Sequence, residues 1–180
     1  SGIGRAVAVE CSRMGARLTI WGRNPQRLEE TRQALSGPGH DAALLDLKEA
    51  DGIAAQIPAL DTINGVVHAA GVIRLAPAKF IAPDDFDDMM SVNVYAAMEL
   101  TRLLLVHKKI GKPASMVFVS SVAAGILPAV GMGVYAASKG ALAAYAKVLA
   151  LELAPRGIRV NSVLPAMVRT PFLDGLSSDD

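Results

Sequence analysis

Apolar and polar positions along this chain follow two rhythms, a helical period and short unbroken apolar runs. Gly4 to Met14 has the helical spacing, and Gly15 stands where a helix closes on a left-handed residue. Arg17 to Trp21 reads as a strand. Asn24 and Pro25 supply an N-cap followed by proline at N1, opening a helix that reaches about Leu35. Ala42 to Leu45 is a short apolar strand, Ala50 to Ile57 a short helix, and Gly65 to His68 a strand bounded by Gly71. Asp84, Asp85, Asp87 and Asp88 open a long helix that ends at Lys108, Lys109 and Gly111; acid at its start and base at its end complement the helix dipole. Met116 to Ser120 is a strand, Val134 to Leu153 a helix stopped by Pro155 and Gly157, and Arg159 to Leu164 a last strand.

Helix and strand alternate throughout, with no hairpin signal. That order predicts an α/β fold, a Rossmann-like doubly wound parallel sheet with helices on both faces. A length of 180 residues suits a single domain, 1–180. With 52% apolar and 19% charged residues a large core is available, and 4% aromatic content points to small side chains packed closely on a sheet. A net charge of +1 argues against a nucleic-acid partner. The one cysteine, Cys11, excludes an intrachain disulfide framework, fits a reducing, cytoplasmic setting and reads as a small buried hydrophobe on a helix. Pro113 to Ser138 carries no charge, but Pro128 and the glycines at 125, 131 and 133 break any membrane-spanning helix there, so no membrane role is expected. Gly140 to Ala154 is apolar nearly all round, which suggests that the helix over 134–153, with that over 84–109, packs on another subunit as a homodimer or homotetramer. The four aspartates at 84–88 could suggest a metal, but nothing else has ligand spacing, so no metal site is expected.

In a doubly wound sheet, ligands bind beyond the carboxyl ends of the strands. Tyr135 and Lys139 fall there. At i and i+4 they share a helix face, and a close ammonium would favour the phenolate and lower a pKa that is ordinarily near ~10. By composition such a pair arises by chance in about one such chain in eight, so its surroundings decide. Gly2, Ile3 and Gly4 at a helix start allow backbone amides to approach a pyrophosphate. Arg23, where an acid would bind the ribose of NAD, suits the 2′-phosphate of NADP, so NADP(H) is expected rather than NAD(H). Asp46, followed by Leu47, could bond an adenine amino group or cap the next helix. His68 at a strand end reads as structural. Ala69, Ala70 and Gly71 leave room for a flat cofactor against the backbone, and Ser120 or Ser121 could hold a substrate oxygen.

The set Gly2-x-Gly4, His68-Ala-Ala-Gly71, Asn93, Ser121, Tyr135-x-x-x-Lys139 and Pro165-x-x-x-x-Thr170 resembles the classical short-chain dehydrogenase/reductase family, its 3-oxoacyl-[acyl-carrier-protein] reductases in particular. The resemblance implies a catalytic tetrad. Asn93 would hold a water of the proton relay, Ser121 would position the carbonyl or alcohol oxygen, Tyr135 would be the acid/base, and Lys139 would lower its pKa and bind the nicotinamide ribose. Pro165, Val168 and Thr170 would meet the nicotinamide carboxamide or phosphates. It implies an NADP(H)-dependent oxidoreductase acting on a small-molecule carbonyl or alcohol; a non-catalytic dinucleotide-binding subunit and an epimerase or dehydratase of the extended group are the rival readings. Where the family usually has Asn-Asn-Ala-Gly, this chain has His68-Ala69-Ala70-Gly71 and so lacks amides that brace the sheet; Ala166 replaces a usual glycine. The Ser121–Tyr135 gap is one residue longer than usual, which keeps Ser120 in reserve. Family members begin with a further strand and continue beyond Thr170, so the chain is expected to lack its first strand and C-terminal elements. The loop Ile126 to Met132 is apolar and suits a hydrophobic carbonyl compound.

Overall fold

A computed structural model describes residues 1–170. The chain divides into two compact units, one formed by residues 1–52 with the stretch from Val168, the other by Ile53–Met167.

The first unit contains helix α1 (Gly2–Arg13), strand β1 (Thr19–Gly22), helix α2 (Pro25–Gln33) and strand β2 (Asp41–Leu44), with β1 and β2 paired in parallel. The expected punctuation works as read. The Asn24 side chain accepts from the Arg27 amide at 2.8 Å, with Pro25 in the first turn. Gly15 has φ +89°, and the amides of Gly15 and Ala16 bond back to Ser12 and Cys11, closing α1 in a Schellman turn. Cys11 is half-buried rather than buried, because α1 leaves that flank partly open.

Helix α3 (Ala50–Gln56) leads into the second unit, where β3 (Ile63–His68), β4 (Ile110–Val119) and β5 (Ile158–Val163) form a parallel sheet in that order. The expected 84–109 helix is a composite of α4 (Pro83–Met90), a π turn at Ser91–Tyr95, and α5 (Ala96–Val106). It stops earlier than Gly111: Lys108 itself takes the left-handed conformation at φ +55°, and the amides of Lys108 and Lys109 bond back to Leu105 and Leu104. Strand β4 starts six residues before the expected Met116, because its early part pairs with β3 across a register shift between Ile63 and Gly65. Gly111 and Pro113 mask that extension in the sequence.

Helix α6 (Gly133–Leu153) carries the site. Its buried residues are Tyr135, Ser138, Lys139, Leu142, Ala146, Leu149 and Leu153, which lie on one face with steps of three or four apart from the adjacent Ser138 and Lys139. The leucines of that stripe, each worth about 1.5–3 kcal/mol on burial, anchor the turns that follow the polar ones. Met116 and Phe118 of β4 are wholly buried. The run 83–106 is long and apolar enough, by length and composition, to cross a membrane. Half of its most apolar eighteen-residue stretch is buried inside the protein and the run opens on acids, so burial against its own chain accounts for that composition.

Candidate active site

Tyr135 and Lys139 occupy the first two turns of α6, and Ser121 follows β4 just before a 3-10 turn at Val122–Ala124. The Ser121 hydroxyl is hydrogen-bonded to the Tyr135 phenol and its oxygen also accepts from the Ala123 amide at 3.2 Å. Ser120 is committed elsewhere. It is buried, and its hydroxyl donates to the Lys139 carbonyl at 2.7 Å, which fixes β4 to α6. Of the two serines, Ser121 is the one beside the phenol.

The charge relation between Tyr135 and Lys139 differs from the expectation. Burial pushes the phenol's pKa up, and the Ser121 hydrogen bond offsets only part of that rise. The Lys139 ammonium lies 5.9 Å from the phenol ring centroid and donates to the Val119 carbonyl at 2.9 Å. Lys139 is 4% exposed, and burial brings its own pKa down to about 8. Desolvation therefore outweighs attraction at both groups.

Asn93 lies in the π turn, almost wholly buried. Its amide is fully used: Oδ1 accepts from the Val72 amide at 2.8 Å, and Nδ2 donates to the Val72 carbonyl and to Ser138 Oγ, each at 2.9 Å. Ser138 in turn donates to the Tyr135 carbonyl at 2.7 Å. The Asn93 side chain is thus a clamp joining the segment after β3, the π turn and α6. Ser138 and Val72 escape sequence reading because their partners lie far along the chain. Within the π turn the Ala96 amide reaches back to the Ser91 carbonyl, five residues rather than four, a widening that frees a carbonyl.

Gly71 sits against this cluster. A Cβ there would lie 3.2 Å from Lys139 Nζ and 3.4 Å from Asn93 Oδ1. Ala69 and Ala70 precede it, half-buried and exposed. The Pro165 carbonyl accepts from the Val122 amide at 3.1 Å, tying the end of β5 to the Ser121 turn. The apolar loop before α6 leaves Ile126, Leu127 and Val130 exposed, and Gly131 accepts from the Ala76 amide at 3.0 Å. Met89, Ala123 and Tyr135 form an apolar cluster flanked by Val72, Ile73, Ile81 and Met132.

The first unit holds the other expected contacts. Gly2 opens the twelve-residue α1 with φ +53°, a conformation glycine adopts freely, and Ile3 and Gly4 follow in its first turn. A Cβ on Gly2 would lie 3.4 Å from Thr170 Cβ, so Thr170 stands at this helix start; Val168 is exposed. Arg23 is exposed just past β1. Arg5 and Arg27, which the sequence reading passes over, lie near Ser1 at the start of α1. Both stand early in their helices, a signal for anion binding that position alone could have given. Asp46 is no helix cap: its side chain accepts from the Lys48 amide at 3.0 Å in a turn ahead of α3, with Leu47 half-buried beside it. Among the described residues no three His, Cys, Asp or Glu side chains converge as metal ligands.

In the first unit a left-handed glycine opens a long helix, and in the second a glycine lies beside a buried lysine; each leaves its backbone open to a close neighbour. The family model described as short chain dehydrogenase matches residues 1–180. The oxidoreductase UcpA of Escherichia coli (strain K12) is 31% identical over 182 residues, spanning 98% of this chain and 69% of that protein. A short-chain dehydrogenase/reductase of Serratia marcescens superposes with a TM-score of 0.88 at 28% identity, over 94% of this chain and 71% of that one. A 3-ketoacyl-(acyl-carrier-protein) reductase of Brucella melitensis, complexed with NADH, gives 0.87 at 28% identity, over 97% and 75%.

Proposed function

This chain belongs to the short-chain dehydrogenase family, and from that premise we propose an NADP(H)-dependent oxidoreductase in which Tyr135 passes the proton to or from the reacting oxygen. The family's Rossmann-like α/β fold and its chemistry, hydride transfer between a nicotinamide dinucleotide and a carbonyl or alcohol carbon, come with that membership. The observation that carries the rest is the Ser121–Tyr135 hydrogen bond beside a buried Lys139.

When bound, the nicotinamide dinucleotide supplies or accepts the hydride. In reduction, Tyr135 gives its phenolic proton to the carbonyl oxygen while the Ser121 hydroxyl donates a hydrogen bond to the same oxygen. Burial keeps the phenol protonated at neutral pH, the form that serves as acid. The Lys139 charge, facing the ring, favours the phenolate left behind. A carbonyl of the Asn93 turn, freed by the π geometry, would hold the water that returns a proton through Lys139. In oxidation the same groups act in reverse. Gly71, Ala69 and Ala70 would cradle the nicotinamide end with Pro165; Gly2, Ile3, Gly4 and Thr170 the pyrophosphate, with Val168 alongside; Asp46 and Leu47 would meet the adenine.

Arg23 favours the phosphorylated cofactor, with Arg5 and Arg27 adding positive potential near the start of α1. The exposed apolar loop at 126–130 favours a hydrophobic carbonyl compound. A homodimer or homotetramer through the 84–109 and 134–153 helices and a cytoplasmic location complete the reading.

The test is turnover by the full-length protein with NADPH and a panel of 3-oxoacyl thioesters, ketosteroids, keto sugars and quinones, followed by loss of reduced-cofactor absorbance. Tyr135→Phe is expected to lower kcat by about 10²–10⁴-fold with NADPH binding retained; a variant as fast as the parent refutes the role. Arg23→Ala is expected to raise KM for NADPH by roughly 10–100-fold and leave KM for NADH unchanged. Equal effects on both cofactors would remove Arg23 from the phosphate site.

A further inference from the structure

His68 stands where the family usually has an asparagine, and its ring is held on a face and at one nitrogen. The ring stacks on Phe118, with centroids 4.5 Å apart and planes 16° from parallel. Phe118 meets Tyr145 of α6 edge-on at 5.8 Å. His68 Nε2 is 3.1 Å from Thr101 Oγ1 in α5. The Thr101 hydroxyl donates to the Ala97 carbonyl at 2.8 Å, so toward His68 it has only lone pairs to offer. In the tautomer with the proton on Nε2, the ring donates to that oxygen. The Tyr145 hydroxyl is bonded to the same Thr101 side chain. One hydroxyl thus joins β3, α5 and α6.

A second joint lies four residues along the chain from His68, where Val72 is held by Asn93. Four extended residues span about 13 Å, and the eight helical residues from Asn93 to Thr101 span about 12 Å. The lengths agree when residues 69–72 run extended and antiparallel to the helix. Two matched joints fix register as well as contact.

We propose that His68 is a positioning residue: through Thr101 it sets where the end of β3 lies along α5, and so delivers Val72 to Asn93 and Gly71 to Lys139. The consequence for turnover rests on the function proposed above; the geometric claim does not. Phenylalanine at 68 would fill the same apolar slot and stack on Phe118, so what the histidine adds is the hydrogen bond between Nε2 and Thr101. Burial brings the ring's pKa down to about 4, which keeps it neutral, with a single proton to place.

The experiment uses the full-length protein with His68→Phe, His68→Gln and Thr101→Val, read by amide hydrogen exchange and by steady-state kinetics. Glutamine carries an amide N–H at about the reach of Nε2. The Val72 amide is expected to exchange about tenfold faster or more in His68→Phe and Thr101→Val, with Val66 in the strand interior unaffected, and His68→Gln to restore protection. With a ketone the parent reduces, kcat is expected to fall about tenfold in the first two variants and recover in the third, KM for the ketone changing less than kcat. Unchanged Val72 exchange in both His68→Phe and Thr101→Val overturns the proposal. A parent inactive on every ketone would defeat the proposed function, while the exchange data would still decide this one.

Discussion

Lys139 is held in a place that disfavours its charge. Its pKa falls to about 8 in the fold, against an unfolded value near 10.5. Between those values the unfolded chain binds more protons than the folded one, so stability rises with pH across that window. Below pH 8 both states carry the charge and the full penalty, about 3 kcal/mol, stands. Lys139→Met fills the same space without the charge but leaves the Val119 carbonyl without its donor. We expect this variant to be more stable than the parent by about 1–3 kcal/mol at pH 7 in urea unfolding, with the gap closing as pH rises from about 8 to 10.5, and to lose turnover. A variant less stable than the parent at pH 7 would show that the ammonium contributes net stability through its hydrogen bond. The sequence makes Tyr135 and Lys139 legible as neighbours on one helix face, because i and i+4 spacing is local. It cannot show that desolvation exceeds their attraction, because burial is set by Val119, Asn93 and Gly71, which come from distant segments.

At the scale of elements, two helix ends use the same Schellman turn with different residues. Gly15 closes α1 at φ +89°, and Lys108 closes α5 at φ +55°. A side chain in the left-handed region costs about 1 kcal/mol, which glycine avoids. Lys108→Gly is therefore expected to stabilise the protein by about 0.5–1 kcal/mol, measured by thermal or urea unfolding; destabilisation would show that the Lys108 side chain makes a contact worth more than the strain. The pair also shows what sequence reading can reach. Gly15, Asn24 and Pro25 announce their boundaries because each residue type is suited to the local backbone it adopts. Lys108 is a residue that helices accept anywhere, so Gly111 looks like the better stop and the end is misplaced. The start of β4 is hidden for a related reason: its pairing with Ile63 is a long-range fact, while Pro113 is a local signal against a strand. The π turn has no local signature, yet it places Asn93 where its amide can clamp Val72.

At the scale of the molecule, the second unit carries apolar surface on the two helical runs that hold the site. Along the composite helix Tyr95, Met98 and Val106 are exposed, and along α6 so are Val148 and Leu151, the latter by 78%. Ala144 is exposed one turn before Val148, so positions 144, 148 and 151 continue one stripe at helical spacing. The opposite stripe of α6 is the buried one that begins with Tyr135 and Lys139. A helix with two apolar stripes has more such surface than its own sheet can cover, and a second copy of the chain offers a matching surface by two-fold symmetry. If the stripe is an interface, the fold and the oligomer are linked, and the melting temperature rises with protein concentration. If it is ordinary surface, charges there change stability by no more than about 0.5 kcal/mol and nothing depends on concentration. Val148→Glu combined with Leu151→Glu is expected to convert a dimer or tetramer into a monomer in light scattering and to abolish the concentration dependence of the melt. A parent protein that scatters as a monomer at tens of micromolar would refute the assembly and leave the apolar stripe in need of another partner.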